Sequence, residues 1–133
     1  WPPNPSTFKV HHTTSHDAKT ADVWEFLTRI EIWYNERVSA FLQELAATPD
    51  VDGTSMILDN TLVPYITEVS NADHSWNNMP YTIFGGPGIG LQGNQYMRVS
   101  GNRTTNDMWM AMARVYGLND FVLGEDNLHT TAV

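Results

Sequence analysis

The sequence predicts an α/β fold with a partial, mostly parallel sheet, a long helix and a C-terminal helix, completed by another chain or fragment. Three observations lead to this fold class. A long amphipathic segment precedes short apolar segments, and a second helical segment follows them. Such alternation of helices and buried strands is typical of sheets that are at least partly parallel. Because a parallel sheet needs cover on both faces and two helices cannot supply it, we expect an apolar surface that another polypeptide covers.

The N-terminal part of the chain predicts an extended arm followed by a long helix. Pro2, Pro3 and Pro5 exclude a helix over residues 1–9. Between residues 20 and 47, apolar side chains recur at steps of three and four, which places them on one face of a helix. That face carries Val23, Leu27, Ile30, Tyr34, Val38, Phe41 and Leu45. A proline and a glycine soon after this segment end the helix.

Three apolar segments predict the strands. "NTLVPYITEV" at 60–69 is rich in β-branched residues, although Pro64 requires an edge position or a bulge because it has no N–H. "PYTIFGG" at 80–86 is a second buried strand, and "NQYMRVS" at 94–100 is a weaker third. The glycine-rich stretch at 85–90 lacks the lysine and hydroxyl residue of a phosphate-binding loop, so we interpret it as a turn.

The segment after residue 104 predicts the closing helix. Thr105 suits the N-cap, and Asp107 lies near the positive end of the helix dipole. Gly117 is expected to end the helix. The methionines between these positions are expected to pack in the core or in an interface, because methionine fills irregular gaps.

Composition limits the function. The 133 residues are 41% hydrophobic, which is enough for one small core, so residues 1–133 are expected to form a single domain. A formal charge of −8 argues against nucleic acid or an anionic membrane as the main partner. No apolar run approaches the roughly 18 residues of a transmembrane helix. Since the chain has no cysteine, any metal would be held by His, Asp or Glu.

The segment "VHHTTSHD" at 10–17 holds three of the five histidines. His12 and His16 stand four residues apart, which on a helix places both imidazoles on one side, as a divalent metal requires. The same segment also fits a solvated helix start, with Ser15 or Asp17 as the cap. Both interpretations are compatible with the spacing.

A second group of candidate residues surrounds the connection between the first two strands. Glu68 follows the first strand, where a carboxylate can act as a metal ligand or a general base, or can be an ordinary acid at a strand end. Asp73 and His74 come within six residues and precede the second strand. We therefore predict that Glu68 and His74 converge on one point above the sheet.

The order of these parts resembles the C-terminal half of the alkaline phosphatase and sulfatase superfamily. The resemblance rests on "ILDNTLVPYITE", an Asp-His-x-x-x-x-x-Pro segment, "TIFGGPGIG" and a closing "ND" helix ending in "YGL". It covers residues 10–123. More narrowly, the chain is similar to secreted bacterial proteins of unknown function in that superfamily, often exported by the twin-arginine route. A periplasmic or extracellular location is therefore expected, and the Trp-Pro-Pro start suggests a processed chain.

The resemblance implies a two-metal hydrolase of phosphate or sulfate esters, with zinc, or calcium or manganese, as cofactor. In the superfamily an Asp-x-x-x-His pair precedes the long helix, and that pair falls on His12 and His16, with His in place of Asp. The strand-end acid falls on Glu68, the later histidine falls on His74, and Val69 stands where a further histidine is expected. The loss of that ligand implies one metal site or none.

The superfamily's nucleophile lies in the N-terminal half, so the resemblance implies a second polypeptide or an N-terminal fragment that completes the sheet. Two alternatives stay open. One is a non-catalytic binding or structural subunit that keeps the fold and has lost metal ligands. The other is a small independent domain that binds a ligand through exposed aromatic residues.

Overall fold

A computed structural model of the chain describes residues 11–16, 20–101 and 103–123. The predicted arm over residues 1–9 lies outside this range. The elements are listed here in chain order: α1 (His11–His16), α2 (Ala21–Ala47), a 3-10 turn (Ile57–Asn60), β1 (Leu62–Ile66), β2 (Tyr81–Gly85), a second 3-10 turn (Pro87–Ile89) and α3 (Thr105–Val115). They belong to two compact units. Of the described residues, the first contains α1, most of α2 and residues 65–82, and the second contains residues 46–64, 83–101 and 103–123.

The long helix α2 confirms the apolar periodicity. Ile30 is 8% exposed, and most other members of the predicted face are half-buried. At the start of the helix, a hydrogen bond with the Thr20 side chain lowers the pKa of Asp22, and backbone N–H groups act in the same direction. Burial raises the pKa of Tyr65, and the negative charge of Glu31 on α2 adds to this effect. The predicted face of α2 therefore does contribute to the first unit.

The prediction of a mostly parallel sheet is wrong. Within the described residues, β1 and β2 form a two-stranded antiparallel sheet, and the chain also contains three α-helices. The end of β2 lies against the start of β1, since a Cβ on Gly85 would stand 2.6 Å from the carbonyl oxygen of Thr61 and 3.3 Å from the Leu62 side chain. The cause is the connection over residues 67–80, which forms turns in place of the crossover helix that usually joins parallel strands.

The predicted third strand is also wrong, because residues 94–100 form no regular element and are exposed. Pro64 is compatible with the sheet because both strands of a two-stranded sheet are edges. The N–H of Leu62 donates to the Tyr116 hydroxyl at 2.9 Å and so cannot pair with β2. Pro64, two residues further along, faces the same outer edge, where its missing N–H breaks no ladder bond.

The glycine-rich stretch is a turn, as predicted, and close backbone packing explains its glycines. A Cβ on Gly86 would collide with the Cα of Asp59 and stand 2.8 Å from the Asp59 carbonyl oxygen. A Cβ on Gly88 would collide with the Asn60 side chain. The two 3-10 turns therefore approach each other more closely than any side chain allows.

Acidic side chains between α2 and β1 are occupied by local hydrogen bonds. Asp52 accepts from the hydroxyl and N–H of Ser55 and from the N–H of Thr54. The Ser55 hydroxyl contributes most to lowering the pKa of Asp52 to about 2. The Asn60 amide donates to Asp50 and to Ser55, both at 2.8 Å. These contacts order the segment that leads into the first 3-10 turn.

The closing helix α3 begins one residue earlier than predicted. Its N-cap is Thr104, whose hydroxyl accepts from the Asp107 N–H, while the Asp107 carboxylate accepts from the Thr104 N–H at 2.7 Å. This reciprocal pair is a capping box. Gly117, at φ 78°, follows the last turn and ends the helix as predicted.

Among the described residues, no helix has the length and apolar character to cross a membrane.

Candidate metal site

Helix α1 presents two imidazoles on one side and a buried hydroxyl residue on another. His12 and His16 are exposed and one helical turn apart, whereas Thr14 is 3% exposed. The Ser15 hydroxyl donates to the His12 carbonyl oxygen at 2.7 Å, which adds a local bond to this short helix. The helix geometry thus orients both imidazoles away from the buried face.

His74 is positioned by a turn that is closed by its own hydrogen bonds. The Asn71 side-chain oxygen accepts from the N–H groups of Asp73 and Ser75 at 3.0 and 3.1 Å, and the His74 N–H donates to the Asn71 carbonyl oxygen at 3.1 Å. The N–H and hydroxyl of Ser70 both donate to the Ser75 carbonyl oxygen. His74 itself has a φ of 59°, a left-handed conformation that is uncommon outside glycine. The turn at 70–75 therefore holds a strained residue in place.

The three imidazoles meet at their Nε2 atoms. The Nε2 atom of His16 lies 3.3 Å from that of His12 and 3.2 Å from that of His74. The ring centroids are 4.9 to 5.3 Å apart. In a tetrahedral zinc site with Zn–N bonds of about 2.0–2.1 Å, two ligand nitrogens are about 3.3–3.4 Å apart, whereas neighbouring octahedral ligands would be about 2.9 Å apart. The two distances from the His16 Nε2 atom are close to the tetrahedral value, and the candidate ligand atoms of all three residues lie within 4.8 Å of one another.

Hydrogen bonding alone cannot satisfy this arrangement. Each neutral imidazole Nε2 has one in-plane position, which holds either a proton or a lone pair. The Nε2 atom of His16 can therefore bond to His12 or to His74, although it is within 3.3 Å of both. A cation at the common centre would accept three lone pairs at once. The arrangement is therefore one that could hold a cation through all three imidazoles.

Three of the four predicted ligands come together. In the described part of the chain, His12, His16 and His74 form a group whose candidate ligand atoms all lie within 4.8 Å of one another. Glu68 is exposed, two residues beyond the end of β1, and does not belong to that group. The predicted meeting of the α1 histidines with His74 agrees with the geometry, but the carboxylate is not beside them.

The site is open to solvent. All three histidines are exposed. A surface depression in the same unit lies elsewhere, along one side of α2, and its lining consists of Ile32, Asn35, Glu36, Ser39, Ala40 and Gln43. Because all of these residues belong to a single helix, the depression is an open strip, and it has no ligand group of the histidine cluster. The geometry of the imidazoles is a stronger indication of chemistry than this depression.

Sequence reasoning missed the residues that position His74. Asn71 is the main one, because its side chain bonds to two backbone N–H groups of the turn. Asparagine side chains commonly bond to the backbone N–H two residues further along the chain, and this turn signal could have identified the role of Asn71. Comparison of the chain with protein-family models, with curated proteins and with solved structures finds no match.

Proposed function

We propose that His12, His16 and His74 bind one divalent transition metal, and that the chain is part of an exported, metal-dependent hydrolase-like protein that acts on phosphate or sulfate esters. The observation that supports the metal site is the convergence of the three imidazoles, in which the Nε2 atom of His16 lies 3.3 Å from that of His12 and 3.2 Å from that of His74. The hydrolase class and the periplasmic or extracellular location come from the superfamily resemblance alone.

The donor set favours zinc over calcium or manganese. Imidazole nitrogens suit zinc and other late transition metals, whereas calcium and manganese prefer carboxylate, carbonyl and water oxygens. Glu68, which would have supplied an oxygen, is outside the cluster. Zinc is therefore the metal of choice for these three residues, and copper and nickel are the nearest competitors in affinity.

Three protein ligands leave a fourth tetrahedral direction open, as in catalytic zinc sites. A divalent metal held by the three histidines would act as a Lewis acid on an ester oxygen that binds in this fourth direction. The histidines would orient the metal. The hydrogen bonds of the turn at 70–75 hold His74 in position for this role. The nucleophile of such a hydrolase would lie on another polypeptide, as the superfamily resemblance implies.

A non-catalytic metal-binding subunit is the second candidate. The exposure of all three histidines favours it, because hydrolytic sites usually exclude bulk water. Turnover of 4-nitrophenyl phosphate and 4-nitrophenyl sulfate separates the two when the zinc-loaded chain is assayed together with the polypeptide that co-elutes with it, because the nucleophile is expected on that polypeptide. Hydrolysis that is lost on replacing His16 supports the hydrolase, whereas zinc binding by this complex without turnover of either ester assigns the chain to the non-catalytic class.

Titration of the chelator-treated full chain with zinc tests the site itself. We expect one equivalent of zinc to bind, because the described ligands form one group. Calorimetry gives the stoichiometry, and elemental analysis after dialysis gives the retained metal. Retention of less than about a tenth of an equivalent, with no calorimetric binding, would rule out a site of this kind.

We also propose that another polypeptide covers the apolar face of α2. Tyr34 and Phe41 lie on the same side of the helix as the buried Ile30, yet they are 47% and 53% exposed. Apolar side chains at the centre of an amphipathic face are normally covered. The same partner would add a strand beside β2 and not beside β1, because the outer edge of β1 has no N–H at Pro64.

Size-exclusion chromatography with light scattering tests this partner. The isolated chain is expected to self-associate or to co-elute with another polypeptide, since its apolar face is uncovered. Replacing both Tyr34 and Phe41 by glutamate should shift the elution towards the 15.0 kDa of the monomer. A monodisperse monomer of the unmodified chain at micromolar concentration would contradict the proposal.

A further inference from the structure

We infer that the bound metal ties α1 to the turn at 70–75, so that α1 is ordered in the metal-bound protein and released in the metal-free protein. This inference rests on the proposed metal site and adds a role to it. The metal would be a structural clasp between two segments that are 58 residues apart in the chain, His16 and His74 being the closest pair.

Helix α1 cannot depend on its own backbone bonds. It has six residues, whereas isolated helices shorter than roughly 12–15 residues are marginal in water. Of its side chains, Thr14 is buried, and the others are exposed or half-buried. One buried threonine provides little apolar area, so the stability of α1 depends strongly on further contacts.

The turn at 70–75 is ordered by contacts that do not involve α1. Asn71 accepts from two N–H groups of the turn, and Ser70 donates twice to the Ser75 carbonyl oxygen. The position of His74 therefore does not depend on contacts with α1. The two segments therefore differ in stability. Metal binding would dock a weakly stable helix onto a turn that forms without it.

Without a cation, at most one of the hydrogen bonds between these imidazoles can connect the two segments. One N–H···N hydrogen bond can join His16 to His74 or to His12, but not to both. A bond between His12 and His16 stays within α1 and leaves the turn unconnected. A metal bonds to all three, and its binding free energy adds to the stability of the docked state by mass action.

Hydrogen exchange of the α1 amides is the test. Backbone amides of residues 14–16 are measured by mass spectrometry or NMR on the full chain, with zinc and with chelator. At free zinc about 100 times the dissociation constant, linkage allows exchange to slow by up to roughly 100-fold, and we expect a slowing of at least about tenfold. Amides of the turn at 70–75 should change much less, because that turn is closed by its own bonds.

Two variants make the result specific. His74→Asn removes the far ligand while asparagine tolerates the left-handed backbone at this position, so zinc should no longer protect α1. His11→Ala removes an exposed histidine of the same helix that is outside the cluster, so protection should persist. Unchanged exchange in the turn verifies that His74→Asn keeps its fold.

The outcomes separate the two proposals. If zinc does not bind the unmodified chain, the proposed function fails and the clasp fails with it. If one equivalent binds but α1 exchanges equally fast with and without zinc, the clasp is overturned and the metal site stands. Full protection of α1 in His74→Asn also overturns the clasp, because the metal would then act on α1 alone.

Discussion

Replacing His16 by alanine is expected to lower the affinity for zinc by at least about 100-fold, since loss of an outer-shell partner alone typically costs 10–100-fold and His16 is a direct ligand. His16 has the central position in the cluster, with its Nε2 atom within 3.3 Å of both other Nε2 atoms. Two imidazoles would remain, one on each segment, without the residue that lies close to both. Competition titration with a chromogenic zinc chelator measures the change.

His11→Ala is the matched control for this prediction. His11 belongs to the same six-residue helix, is equally exposed and does not belong to the cluster. Its replacement should leave zinc affinity within about a factor of two of the unmodified chain. Equal losses in the two variants would mean that zinc binds to the histidine-rich segment nonspecifically, and the three-histidine site would have to be abandoned.

Gly86→Ala is expected to have the largest effect on folding. The added methyl group would collide with the Asp59 backbone, which is itself held by the first 3-10 turn and cannot move as a flexible side chain can. Forcing extra atoms into a tight contact typically lowers the free energy of unfolding by about 1–3 kcal/mol. Because the contact here is with backbone, we expect a loss at the upper end of this range, about 3 kcal/mol. Urea denaturation followed by tryptophan fluorescence measures the change in the free energy of unfolding.

Gly93→Ala provides the comparison, because a Cβ at Gly93 meets no atom within 4 Å. Its free energy of unfolding should stay within about 0.5 kcal/mol of the unmodified chain. Should Gly86→Ala also stay within that range, the close approach of the two 3-10 turns would not exist in solution. The glycines of this stretch would then need an explanation other than packing.

The sequence alone determined the two longer helices. The predicted segment of residues 20–47 matches α2 (Ala21–Ala47), because the apolar period and the following proline are local signals. The start of α3 was predicted to within one residue, since a capping box is a contact between neighbours in the chain. Such features depend on interactions over three or four residues, which can be recognised directly in the sequence.

The sequence predicted only part of the candidate site. The spacing of His12 and His16 placed them on one side of a helix, but their meeting with His74 was an expectation from a resemblance and not from any local pattern. Glu68 was expected there as well, and it lies outside the cluster. Nothing in the neighbourhood of Glu68 distinguishes a metal ligand from an ordinary acid at a strand end.

The tertiary structure alone decided the direction of β2 and the position of His74. Both depend on the path of the connection over residues 67–80, where a turn closed by Asn71 reverses the chain in place of a crossover helix. Strand composition is the same for parallel and antiparallel pairing when both strands are short and apolar. The pairing is therefore set by long-range contacts, whose energies depend on the packed structure and not on adjacent residues.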